Sequence, residues 1–345
     1  MRIREVGPRD GFQNEPEVIP TERKVELIDA LARTGLRRIE VTSFVRPDVI
    51  PQLADAAEVL ERMDIPEGVS VSVLIPNERG LESALRHRER FHEINVFLSA
   101  SETHNRRNVN RSIAESLAGL EVVLARARAA GLRREGVIST SFGCPYEGRV
   151  PPERVLEIAA RLRDAGAQEI GFGDTTGMAN PAQVGEFFAR ARERFGDTTG
   201  MANPAQVGEF FARARERLGT GGVGGEAGAA GASAGEDAVE LTAHFHNTRG
   251  AGLANVLAAL QAGVRSFESS FGELGGCPVP AGATGNIATE DLVSMLHEMG
   301  IETGIDLPAL IACAARVQEV LGRPLGSHTL VAGPVDWRGS QRSAN

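Results

Sequence analysis

Cysteine is scarce. The chain has three, Cys144, Cys277 and Cys313, an odd number with no C-x-x-C pair, so neither a disulfide framework nor a thiolate zinc finger is expected. There is no run of 18 or more apolar residues, and no membrane partner is predicted. The opening residues, MRIREVGPRD, carry neither an apolar signal nor an Arg/Ser-rich transit pattern, and the expectation is a cytoplasmic protein. Positive charge is short as well. Lys and Arg number 37 against 46 Asp and Glu, a formal charge of -9, which is the wrong sign for general nucleic-acid binding. An anionic small molecule would need a local cationic site.

What is present is a soluble composition, 42% hydrophobic and 24% charged over 345 residues, enough to bury a large core. Short β-branched runs at 2–6, 37–44, 70–75, 94–99, 136–142, 168–173, 239–246 and 264–270 read as eight strands. Between them lie segments of helical period such as Thr21–Thr34, Ser112–Ala130, Pro152–Ala165 and Ala251–Ala262. Eight strand–helix units predict an α/β fold, a (β/α)8 TIM barrel with extra C-terminal helices, whose site gathers at the C-terminal ends of the strands. Residues 1–325 are expected to form one catalytic domain and 326–345 a C-terminal tail.

Two features interrupt this rhythm. FGDTTGMANPAQVGEFFARARER at 172–194 is repeated without change at 195–217, and a single tandem copy is no solenoid. The Gly-rich stretch 219–235 has no apolar period and reads as a flexible linker before the seventh strand. Only the first copy follows a strand, AQEIGFGD. Asp174 is therefore expected at the barrel mouth, 181–194 as the helix packed on the barrel, and 204–217 as an appended or displaced helix.

Polar residues at strand ends form a restricted set. Arg9, Asp10 and Gln13 follow the first strand, Glu40 and Thr42 lie in the second, Asp174 and Thr175 follow the sixth, His244 and His246 end the seventh, and Asn286 comes after the eighth. In VELTAHFHN, Glu240, Thr242, His244 and His246 share one face of an extended strand. A carboxylate, two imidazoles and an amide oxygen make a mixed N/O set that suits one Mg2+ or Mn2+ better than structural Zn2+. Taken singly each residue has a plainer reading, such as a turn ion pair for Arg9 and Asp10 or a loop cap for Asp174. Gln13, Thr42 and Thr175 are candidate substrate contacts, as is Arg9. Of the cysteines, Cys277 lies in a Gly/Pro-rich loop where a thiol is available for chemistry, whereas Cys313 in LIACAA reads as a buried hydrophobe.

The motifs EVGPRDGFQNE, GCPYEG, GDTTG, HFHNTRG, GELGGCP and GATGNIATEDLV, in that order, resemble the 3-hydroxy-3-methylglutaryl-CoA lyase family of TIM-barrel metallolyases. The resemblance implies an acyl-CoA substrate and cleavage of a carbon–carbon bond. It implies Asp10, His244, His246 and Asn286 as the metal site, and Arg9 beside the thioester oxygen. Glu40 and Asp174 become further active-site residues, with Cys277 on a mobile loop. The chain departs from lyases that read HDTYGQ where it has HNTRGAG, placing Asn247 and Arg249 there. Another branched 3-hydroxyacyl-CoA, or a condensing synthase of the isopropylmalate or homocitrate type, is the alternative expectation. A homodimer is the assembly allowed for.

Overall fold

A computed structural model describes residues 1–196, 239–276 and 285–336. Its strands are β1 Arg2–Glu5, β2 Arg38–Ser43, β3 Ser70–Leu74, β4 Glu93–Ser99, β5 Arg133–Ser139, β6 Glu169–Asp174, β7 Glu240–Phe245 and β8 Ser266–Ser269. They pair in sequence order, all parallel, and β8 returns to β1 to close the barrel. Helices intervene, among them Thr21–Leu31, Ile113–Ala129, Pro152–Asp164, Pro181–Phe195 and Gly252–Gln261. This is the (β/α)8 TIM barrel expected. No helix among the described residues is long and apolar enough to cross a membrane.

Local chemistry accounts for the element boundaries. Ser112 and Glu115 form a reciprocal capping box at the start of Ile113–Ala129, worth about 1 kcal/mol. Asn180 caps the helix Pro181–Phe195, its side chain accepting from the Gln183 amide, with proline at the first helical position. That helix belongs to the first copy of the repeat and buries Val184, Phe187, Phe188, Ala191 and Phe195. Phe187 and Phe188 pack edge-on against Phe172 of β6 at 4.9 and 5.7 Å between centroids. Each such ring stabilises the fold by roughly 1.5–3 kcal/mol. The first copy thus continues the barrel, and the second copy and the 219–235 linker lie outside the described residues.

β5 begins three residues earlier than the expected 136–142. Its opening, Arg133-Arg134-Glu135, reads as polar surface, yet Glu135 and Arg133 turn into the barrel and find partners there. The strand stops at Ser139 because Thr140 takes a left-handed φ of 56°. Beyond β8 come the helices Thr289–Glu298, Leu307–Leu321 and His328–Ala332. The stretch expected as a tail therefore contains a short helix, and Asp291 ties its start down through Ser327 Oγ and the His328 and Thr329 amides at 3.0, 3.0 and 2.6 Å.

TIM-barrel interiors are usually filled by branched apolar side chains. Here the N-terminal end, the floor, is ionic. Arg4 of β1 donates to Glu268 at 2.9 Å and to Glu93 at 3.3 Å, and also reaches Glu135 and Glu169. Arg38 of β2 spans Glu93 and Glu169, both at 2.6 Å. Arg133 bridges Glu169 at 3.1 Å and Glu240, which also pairs with Arg2. Removing one member of such a buried set costs about 3–5 kcal/mol, although the whole set need not outperform a well-packed apolar core. Strand closure is specified by these pairs, and the opposite end of the interior is left for chemistry.

Candidate functional site

At the C-terminal end of β1 the backbone enters a single π-helical turn, Gly7–Gly11, which carries Arg9 and Asp10 inward. Such turns recur at functional positions. β2 bulges between Glu40 and Thr42 against β3, another device for re-aiming side chains beside a site. Arg9 Nε donates to Glu40 Oε1 and Arg9 Nη1 to Asp10 Oδ1. Glu40 accepts again from Asn95 Nδ2 of β4 at 2.9 Å. Burial opposes the Arg9 cation, but Glu40 and Asp10 outweigh it and raise its pKa.

Asp10 is the junction of the site. Gln13 donates to its Oδ1 at 3.0 Å and Asn286 to its Oδ2 at 2.8 Å. Burial would push its carboxyl up, but Arg9, then His244, hold it at about 2. His244 is the penultimate residue of β7, and His246 forms a bridge with Asn286 just beyond the strand. One ligand atom each from Asp10, His244 and His246 lie within 4.8 Å of one another. His244 and His246 bring their Nε2 atoms to 3.2 Å. The two imidazoles titrate in opposite directions. Burial lowers both, but the hydrogen bond to Glu268 raises His244 overall, whereas His246, beside His244, falls to about 3.

The donor set fits a divalent cation. Asn286 spends its Nδ2 on Asp10 and on the Leu274 carbonyl at 3.0 Å, leaving its buried Oδ1 without a partner among the described residues. A buried acceptor with no donor carries a desolvation cost of about 1–3 kcal/mol that a cation would relieve. Space is tight around it. Gly275, at φ 98°, could not carry a Cβ, which would stand 2.7 Å from Asn286 Nδ2.

Asp174 ends β6 beside β7, with Gly173 in register with His244 and Asp174 with Phe245. Its Oδ1 accepts from the Met178 and Ala179 amides at 2.8 and 3.1 Å. Its Oδ2 is buried and has no partner among the described residues, and burial lifts the carboxyl to about 7. Arg249 braces the following turn, donating to the Thr176 and Gly177 carbonyls at 2.8 Å each.

The expected residues are therefore treated unequally. Arg9, Asp10, Gln13, Glu40, His244, His246 and Asn286 form one contact network, and Asp174 faces it from β6. Thr42 is buried with a hydroxyl that has no partner among the described residues, and the Thr175 hydroxyl accepts from the Thr140 amide at 3.0 Å, so neither joins that network. Cys277 lies outside the described residues. Two residues of the network escaped the sequence reading, Asn95 and Glu268. Both are buried polar positions within strands, Asn95 in the largely apolar β4 and Glu268 between Phe267 and Ser269 of β8.

Comparison with known proteins gives a consistent result. The HMGL-like family model matches residues 1–195 and again 191–317, so its match divides close to the junction of the two repeat copies. The chain is 43% identical over 330 residues to a hydroxymethylglutaryl-CoA lyase of Bacillus subtilis, covering 96% of each. A crystal structure of the Bacillus subtilis HMG-CoA lyase superposes with a TM-score of 0.82 at 42% identity, covering 96% of this chain and 97% of that one. An HMG-CoA lyase from Acinetobacter baumannii, in complex with coenzyme A and 3-methylmalate, gives 0.79 at 37% identity, with 97% and 95% covered.

Proposed function

The chain belongs to the HMGL-like family, and from that premise we propose that it is a hydroxymethylglutaryl-CoA lyase, cleaving 3-hydroxy-3-methylglutaryl-CoA to acetyl-CoA and acetoacetate. The observation that carries this reading is near-full-length likeness to lyases of that name, joined to a partly buried Asp10–His244–His246 cluster at the barrel mouth. Residues 1–325 act as the catalytic domain, with 219–235 as a linker within it.

In this reading Asp10, His244, His246 and Asn286 hold one Mg2+ or Mn2+. When bound, the ion supplies Lewis acidity that lowers the pKa of the substrate hydroxyl and fixes its orientation. Asp174, raised to about 7 by burial, accepts the hydroxyl proton through its unpartnered Oδ2, with a pKa matched to work near neutrality. The C2–C3 bonding pair then passes to the thioester as an enolate. Arg9, aimed by Glu40 and kept protonated, faces the enolate oxygen and stabilises its charge by a few kcal/mol, on the order seen for preorganised donors. Gln13, Thr42 and Thr175 contact the acyl portion, and Cys277 delivers the proton that converts the enolate carbon to the methyl of acetyl-CoA.

The deciding experiment is release of acetoacetate and acetyl-CoA from 3-hydroxy-3-methylglutaryl-CoA by the full chain, with Mg2+ or Mn2+ and with EDTA. Metal-dependent cleavage is expected. Mn2+ binding without cleavage would keep the cation site and reject the substrate.

A further inference from the structure

The cation site has a support that the motifs do not contain. We infer that Glu268 is a positioning residue for it: the Glu268 carboxylate fixes the His244 tautomer that turns the Nε2 lone pair toward the cation, and Arg4 anchors that carboxylate from the barrel floor. This rests on the reading of Asp10, His244, His246 and Asn286 as ligands.

The geometry is set by strand register. His244 of β7 and Glu268 of β8 are paired neighbours, and both side chains turn into the barrel. Glu268 is 2% exposed, and its Oε2 lies 2.9 Å from His244 Nδ1. An ionised carboxylate only accepts, so Nδ1 carries the proton and, in the neutral ring, Nε2 keeps its lone pair. That Nε2 is the atom 3.2 Å from His246 Nε2. The other Glu268 oxygen accepts from Arg4 Nη1 at 2.9 Å, which prevents the carboxylate from swinging away.

A purely structural role for Glu268 as the counter-charge of Arg4 is redundant, since Arg4 already reaches Glu93, Glu135 and Glu169. The two histidines also differ. Among the described residues His246 Nδ1 is buried with no partner, so orientation by a carboxylate is there confined to His244. Carboxylates of this kind orient metal-binding histidines and raise their basicity.

The test uses the full chain and two readouts other than turnover. Long-range 1H–15N correlation of metal-free, 15N-histidine-labelled protein should show His244 protonated at Nδ1, and an Nε2–H tautomer would overturn the inference. In Mn2+ titrations followed by electron paramagnetic resonance, E268L should weaken binding about 10–100-fold. E268Q, whose amide oxygen still accepts the Nδ1 proton, should stay closer to the parent than E268L. Should E268L fail to fold, E268Q and the tautomer decide: a His244 Nε2–H tautomer in E268Q with parental Mn2+ affinity would reject the role. His246→Ala separates the two readings. If it leaves Mn2+ binding unchanged, the cation site itself is wrong. If it abolishes binding while a folded E268L binds as the parent does, only the role of Glu268 falls.

Discussion

The two ends of the barrel interior are built from the same residue types and solve opposite problems. At the floor Glu93, Glu135, Glu169 and Glu240 each have a guanidinium as partner, and Arg4 and Arg38 each reach more than one carboxylate. At the mouth, among the described residues, Asp174 spends one oxygen on two amides and leaves the other bare, and Asn286 Oδ1 and His246 Nδ1 are buried without partners. Polar groups matched to one another hold strands in register. Polar groups left unmatched are held ready for a ligand, at a cost in stability that the rest of the fold must offset.

That contrast can be broken by mutation. The largest effect should come from Asp174→Asn, with turnover falling on the order of 10²–10⁴-fold as expected for loss of a general base. The same change in the second copy, Asp197→Asn, should leave kcat unchanged, and the reverse pattern would move the base to the other repeat. Arg9→Gln should lower kcat by on the order of 10²–10³ while calorimetric Mn2+ binding is retained. At the floor the ranking inverts. Glu169→Leu removes the carboxylate shared by Arg4, Arg38 and Arg133 and should cost up to about 3–5 kcal/mol in denaturant unfolding, with kcat per folded molecule preserved. The smallest effect is a slope. In the fold Asp174 keeps its proton up to about 7, against an ordinary 3.8, so the unfolded chain releases that proton first and stability falls as pH rises between those values, then levels. Melting temperatures from pH 4 to pH 8 should show that fall reduced in Asp174→Asn relative to the parent.

The sequence made the eight strands legible because their β-branched runs are punctuated by helices of clear period. It also made His244 and His246 legible, since alternation in VELTAHFHN puts both on one face and the barrel decides which face is inward. Asn95 and Glu268 were not legible for the same physical reason that β5 was begun late. A charged or amide residue within a strand reads as solvent-facing until a closed barrel makes the inner face the polar one. Arg133 and Glu135 have partners on strands far away in sequence, and nothing local announces them. The π-helical turn of Asp10 likewise depends on packing against Phe271 and Leu274, beside which Gly7 and Gly11 have no room for a Cβ.

The floor also divides unevenly along the chain. Strands β1–β4 bring Arg2, Arg4 and Arg38 against the single carboxylate Glu93, while β5–β8 bring Arg133 against Glu135, Glu169, Glu240 and Glu268. Counted at the floor alone, each half holds an excess of one sign, cationic in the first half and anionic in the second. Ion pairs across the seam thus neutralise, on closure, the charge that each half leaves unmatched at the floor.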